Sequence, residues 1–322
     1  MHGLLVSQHG GPEVYAWTEV PTPAPGPGQI QVKVSVAGVN FLDAYQRRGG
    51  TPVAAPFVAG VEGVGTVTEI GEGVADFSLG QRVGWLTGCQ GAFAEYAVVA
   101  ADSAVPIPDE VDDQAAAAVL LQGVTAHYLA VDTYPIQPGD AVLIHAAAGG
   151  VGLLLTQIAK LRGATVIATV STPAKAELAR WAGADHVIGY DDVAAQARAL
   201  TGGEGVAAAY DGVGLTTFED SLASLRTRGI LVSFGAASGH PPLLEIPRLN
   251  PMGSLYVTRP TAVHYTRTPQ ELRRRTDDLF GWLASEDLKL TIGGRYPVTD
   301  AAAAFTALES RATTGKLLLL VG

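Results

Sequence analysis

Ala141-Val-Leu-Ile-His145-Ala-Ala147-Ala-Gly149-Gly150-Val151-Gly152-Leu-Leu-Leu-Thr-Gln-Ile-Ala-Lys160 reads as a buried strand, a glycine turn and the first turns of a helix. Such a junction brings backbone N–H groups and a helix N-terminus to one point, where a pyrophosphate binds. Gly149 and Gly152 take the second and third glycine positions of G-x-G-x-x-G, and Ala147 stands at the first. The second glycine lets backbone approach phosphate, and the third lets the helix pack on the strand. An alanine at the first position asks for a slightly different turn. The context supports a dinucleotide site: Gly139 and Asp140 end a loop, Val142–His145 is apolar, and a helical apolar pattern follows the glycines.

The next strand bears on the choice of dinucleotide. Thr165-Val-Ile-Ala-Thr-Val170 is a β-branched run that ends about 20 residues after the turn, where an NAD site places Asp or Glu for the ribose 2′-OH. Here the chain reads Ser171-Thr172-Pro173-Ala174-Lys175, with no carboxylate before Glu177 to repel a 2′-phosphate. Ser171 can donate a hydrogen bond and Lys175 supplies positive charge. Thr172 followed by Pro173 reads as an N-cap with proline at the first helical position, and a helix start there favours an anion. NADPH is the expected cofactor.

Outward from this core, strand-like and helix-like runs alternate: Val142–His145, Val166–Val170, His186–Ile188, Ala207–Tyr210 and Ile230–Ser233. Alternation of this kind implies βαβ units and a parallel sheet. Residues before about 122 instead hold short β runs separated by Gly and Pro, such as Ile30–Val36, Val64–Ile70 and Phe93–Val99. After about 261 come a polar helix (Pro269–Ser285), a β run near Tyr296, a helix (Asp300–Arg311) and a last strand (Lys316–Val321). That strand needs a partner and is expected to return to the first domain. The expected division is 1–122 with 261–322, and 123–260.

The 322 residues carry a net charge of −10, with 48% hydrophobic and 16% charged residues. An acidic chain without a Lys/Arg block is a poor nucleic-acid binder. Arg273-Arg274-Arg275 is followed by Asp277 and Asp278 and reads as a solvated helix face. The N-terminal residues lack the charged region and apolar core of a signal peptide. The glycine turn argues against a membrane span over Ala141–Ala159. Cys89 is the only cysteine, so no internal disulfide and no cysteine zinc site are expected, and a cytoplasmic location suits it.

Four blocks in order carry a resemblance: Asn40-Phe-Leu-Asp43-Ala-Tyr45-Gln-Arg47-Arg-Gly49, His145–Gly152, Ser254-Leu-Tyr-Val-Thr-Arg259-Pro260 and Glu309-Ser-Arg311-Ala-Thr-Thr-Gly-Lys316. Over essentially its full length the chain resembles the zeta-crystallin-like NADPH:quinone oxidoreductases, a zinc-free branch of the medium-chain dehydrogenases/reductases. The resemblance implies an α/β protein, in which a GroES-like β-rich catalytic domain is interrupted by a Rossmann domain with a doubly wound parallel sheet. It also implies a cofactor in the cleft between the domains and a homodimer joined through the Rossmann sheets near Ser254–Pro260. Zinc relatives need a Cys or His where this chain has Asn40, and Gly-His-Glu where it reads Gly60-Val61-Glu62, so no metal is expected.

Carried over residue by residue, the resemblance puts Asn40 and Tyr45 beside the nicotinamide and the acceptor, where both can donate hydrogen bonds to a carbonyl oxygen. Tyr45 equally reads as a packing aromatic. Asp43 is expected to organise its loop. Thr125, read as the start of an inter-domain helix, would touch the nicotinamide end. Gly149, Gly150, Val151 and Gly152 would meet the pyrophosphate, and Ser171, Lys175 and Tyr190 the 2′-phosphate. Phe234 and Gly235 would pass the nicotinamide ribose, and Arg259, Arg311 and Lys316 would lie near the cofactor cleft. Quinone reduction is the expected activity. Reduction of activated C=C bonds in enones or alkenals is the alternative, and a cofactor-binding structural or RNA-binding protein is the reading from another class.

Overall fold

The computed structural model describes residues 1–51 and 53–322. The chain divides into two compact units, Met1–Val124 with Tyr265–Ala284 and Leu290–Gly322, and Thr125–His264 with Ser285–Lys289. The short segment Ser285–Lys289, which the sequence assigns to the catalytic domain, thus joins the second unit. There the Lys289 N–H donates to the Gln157 side chain at 2.8 Å.

The second unit is built on a parallel sheet. Its strands are β1 (Ala141–Ile144), β2 (Thr165–Thr169), β3 (His186–Ile188), β4 (Val206–Asp211), β5 (Leu225–Ser233) and β6 (Tyr256–Thr258). They lie side by side in the order β3-β2-β1-β4-β5-β6, the doubly wound arrangement in which ligands bind beyond the carboxyl ends of the strands at the β1 switch point. Helices α1 (Gly150–Leu161), α2 (Pro173–Trp181), α3 (Val193–Leu200) and α4 (Phe218–Ser224) connect these strands. Leu143 and Ile167 of the sheet pack with Phe218, Leu222 and Leu231 in one apolar cluster. β4 is buried along its whole length, as expected for a central parallel strand covered on both faces.

The first unit holds a largely antiparallel sheet whose long strand, Gln29–Val39, pairs with Gly63–Ile70, Tyr96–Ala100 and the last strand Lys316–Leu320. The last strand does find its partner there. Register fixes the neighbours that matter: Leu317 lies opposite Val39 and Gly63 opposite Ala37. Lys316, Asn40 and Glu62 are therefore brought to one end of the sheet although they are far apart in the chain. Trp85, Phe93 and Phe305 anchor the apolar core beside it.

The helix Asp113–Tyr128 continues as a wider π turn over Leu129–Thr133. By length and composition the combined segment could cross a membrane, but 72% of its most apolar window is buried. Residues 141–159 are split into β1, a turn and α1, as the glycines require.

Candidate active site

In the second unit, β1 ends at Ile144 and the chain turns through His145–Gly149 into α1. Ala146 adopts a left-handed φ of 50°, the different turn that alanine at the first motif position demands. Its N–H donates to the Tyr190 hydroxyl at 3.1 Å, and the Ala147 N–H donates to the Thr169 carbonyl at 3.1 Å. A Cβ on Gly152 would lie 2.7 Å from the Ala147 Cα, so glycine is what lets α1 pack on the turn. Gly149 is the N-cap and has no side chain to offer. The N–H groups of Gly150, Val151 and Gly152 thus form an uncapped first turn, ready for an anion.

Lys175 lies in the first turn of α2, three residues after its N-cap. The Thr172 hydroxyl accepts the Lys175 N–H at 3.3 Å, and Pro173 opens the helix as the sequence predicts. Ser171 is exposed and Lys175 half-buried, with burial pushing the lysine pKa below its ordinary value. An anion beside the ammonium would oppose that shift. Tyr190, beyond β3, stacks on the His145 ring at 6.1 Å and 14°. At the end of β5, the Phe234 N–H donates to the Asp211 carbonyl at 2.9 Å. Arg259 donates to the carbonyls of Ser233 and Gly235, at 3.3 and 3.2 Å, and so pins this corner. Thr125 is half-buried near the C-terminal end of its helix rather than at the start. Gly123, interior to this helix, permits close packing: a Cβ there would meet Leu279 at 3.1 Å.

In the first unit, Asn40 caps the helix Phe41–Arg47 and is 6% exposed. Its Oδ1 accepts from Lys316 Nζ at 2.8 Å, and its Nδ2 donates to the Gly38 carbonyl at 3.1 Å and to Glu62 Oε2 at 2.8 Å. The ammonium and the carboxylate together fix which end of the amide is which. Both amide protons are engaged, so Asn40 is placed to orient its neighbours and not, as the resemblance implies, to donate directly to an acceptor. Lys316 is 1% exposed, and its ammonium is paired with Glu62 Oε2 at 2.5 Å. It therefore lies in a closed buried pair instead of at a surface that a phosphate could reach. Glu62 Oε1 accepts the Leu121 N–H at 2.7 Å. A Cβ on Gly38 would come within 2.7 Å of Lys316 Nζ, so the strand needs glycine there.

Asp43 behaves as expected for a loop organiser. It accepts the N–H groups of Asn40 at 2.9 Å and Val61 at 3.2 Å. Burial raises its pKa to about 7, against the lowering effect of those N–H groups and of Lys316. Tyr45 is half-buried, two residues on, with its ring 6.2 Å from Phe41. Arg311 is exposed in a left-handed conformation, φ 58°. Burial raises the Cys89 pKa to about 12, which makes it a poor nucleophile.

Two family descriptions match the chain: "Alcohol dehydrogenase GroES-like domain" over residues 26–109 and "Zinc-binding dehydrogenase" over 150–276. The chain is 43% identical over 315 residues to the quinone oxidoreductase of Pseudomonas aeruginosa, covering 97% of each. It is 39% identical to a 2-haloacrylate reductase from a Burkholderia species, covering 98% of each. A mycobacterial protein solved in complex with NADPH superposes with a TM-score of 0.97 at 47% identity, covering 100% of both chains. The chain belongs to the quinone oxidoreductase family, within the GroES-like and Rossmann-type dehydrogenases, and is an oxidoreductase.

Proposed function

We propose that this chain reduces quinones with NADPH and without zinc. The observation that carries the reading is the Lys316 ammonium seated between Glu62 and Asn40. A cation already holds the carboxylate, and Asn40 and Val61 occupy the neighbouring positions where a zinc enzyme needs stronger ligands. Among the described residues no group of three His, Cys, Asp or Glu could hold a metal. That donor set is a poor match for zinc and supports an acceptor that is electrophilic on its own account, as a quinone is.

The second unit fits the coenzyme. The uncapped N–H groups of Gly150–Gly152 receive the pyrophosphate, and Ser171, Lys175 and Tyr190 receive the 2′-phosphate. The corner at Phe234 and Gly235, pinned by Arg259, takes the nicotinamide ribose, with Thr125 toward the nicotinamide. When bound, NADPH supplies the hydride. Tyr45 donates a hydrogen bond to the acceptor oxygen as negative charge develops on it, while Asn40 positions the Phe41–Arg47 helix that carries Tyr45. The exposed Tyr256 and Val257 on the edge strand β6 support a homodimer joined there.

A second reading, reduction of activated C=C bonds, is favoured by the likeness to the 2-haloacrylate reductase. Consumption of NADPH with p-benzoquinone, with an enone and with 2-chloroacrylate separates the two. Rapid turnover with the quinone supports the first reading. Turnover with the alkenes alone would transfer the assignment to the second.

A further inference from the structure

We propose that His145 is a positioning residue for dinucleotide binding, held by a buried relay that runs from Asp211 through Ser221 to His145 and Thr169. The proposal rests on reading the glycine turn as the dinucleotide site.

His145 is 2% exposed. Its Nε2 lies 3.0 Å from Ser221 Oγ and its Nδ1 2.9 Å from Thr169 Oγ1. The single Ser221 hydroxyl proton has two acceptors in reach, Asp211 Oδ2 and the Thr217 carbonyl, each at 2.8 Å. Neither can return a proton, so Ser221 Oγ accepts from the imidazole and Nε2 carries hydrogen. Burial lowers the His145 pKa against the opposing influence of Asp211 and Asp220, which favours the neutral ring. Nδ1 then accepts from the Thr169 hydroxyl. At the far end, Asp211 also accepts from Val213 N at 2.8 Å, Gly214 N at 2.9 Å and the Thr217 hydroxyl.

This relay joins the carboxyl ends of β1, β2 and β4, where a doubly wound sheet binds its ligand. It reaches the turn by two routes. Thr169 gives its hydroxyl to His145 and its carbonyl to Ala147. The His145 ring stacks on Tyr190, whose hydroxyl holds the Ala146 N–H. Ala146 is in a conformation that alanine disfavours, so the turn depends on these neighbours to stay in shape. A turn held in the binding geometry loses less freedom when the ligand arrives. The relay acts on the pyrophosphate turn and not on the 2′-phosphate, so its effect is common to NADPH and NADH.

Thr169→Val and Ser221→Ala cut the relay on either side of His145 while leaving the ring in place. Titration of each variant with NADPH and with NADH should show both Kd values raised by the same factor, about tenfold where the turn keeps its binding geometry about a tenth of the time. Turnover at saturating NADPH should stay near the unaltered value. Nitrogen NMR of the unaltered protein should show a neutral Nε2–H ring for His145. Variants with lowered Tm and unchanged Kd values would overturn the proposal, as would a loss confined to NADPH or an Nδ1–H ring. If the unaltered protein bound neither coenzyme, the dinucleotide reading itself would fall, and this inference with it.

Discussion

Glu62 and Asp211 are both fully buried carboxylates, but Glu62 is held by the Lys316 ammonium and Asp211 by hydroxyl and amide donors that carry no net charge. The first cluster closes on itself at the end of an antiparallel sheet. The second opens, through Ser221 and His145, onto a turn shaped for an anion. A buried ion pair is vulnerable at either partner, because removing one leaves an uncompensated charge. A carboxylate shared among dipoles ties together the backbone that supplies them. Damage to the first cluster should therefore cost the more stability, and damage to the second should cost less stability but also lower ligand affinity.

The largest expected effect comes from breaking the ion pair. Lys316→Met should cost about 3–5 kcal/mol in denaturant unfolding, and adding Glu62→Gln should recover much of that loss. If Lys316→Met unfolds like the unaltered protein, the two carboxylates are not held differently and the contrast fails. Lys175 sharpens the point, since it is half-exposed at a helix start. Lys175→Ala should leave stability alone and weaken NADPH about ten- to hundredfold, as expected for one hydrogen bond to a charged group, while NADH binding hardly changes. Equal losses for both coenzymes would remove Lys175 from the 2′-phosphate.

Asp211→Asn should cost about 1–3 kcal/mol, because the new amide turns N–H groups toward partners that are themselves donors. Heat or denaturant unfolding measures this, and a loss as large as that of Lys316→Met would contradict the ranking. A pH-dependent effect, read as a slope rather than a single loss, concerns Asp43, whose pKa burial raises from the ordinary 3.8 to about 7. The folded state then binds a proton that the unfolded state has released. Its contribution is full below pH 3.8 and is lost as pH rises through about 7. Asp43→Asn should flatten stability against pH across that window. An unchanged slope would mean that another group titrates there.

The parallel sheet was legible because its signals are local. Glycines, β-branched runs, and Thr172 before Pro173 each dictate structure within a few residues. The polar cluster of the first unit was not, because Lys316 and Glu62 meet across 254 residues and only strand register brings them together. One signal was available: Lys316 opens the apolar run Leu317–Leu320, and a lysine in a buried strand needs a carboxylate. Asn40 drew attention as the residue at a ligand position, yet sequence could not show that its amide protons were already engaged. Thr125 lies near the end of the helix Asp113–Tyr128 and not at its start, because Gly123 continues that helix and packs closely against Leu279.

Zinc-free quinone reduction is tested most directly by p-benzoquinone turnover with NADPH by enzyme exhaustively treated with a metal chelator, beside the same assay with NADH. Activity should survive chelation unchanged, with NADPH strongly preferred. Activity that disappears with the chelator and returns with zinc would contradict it.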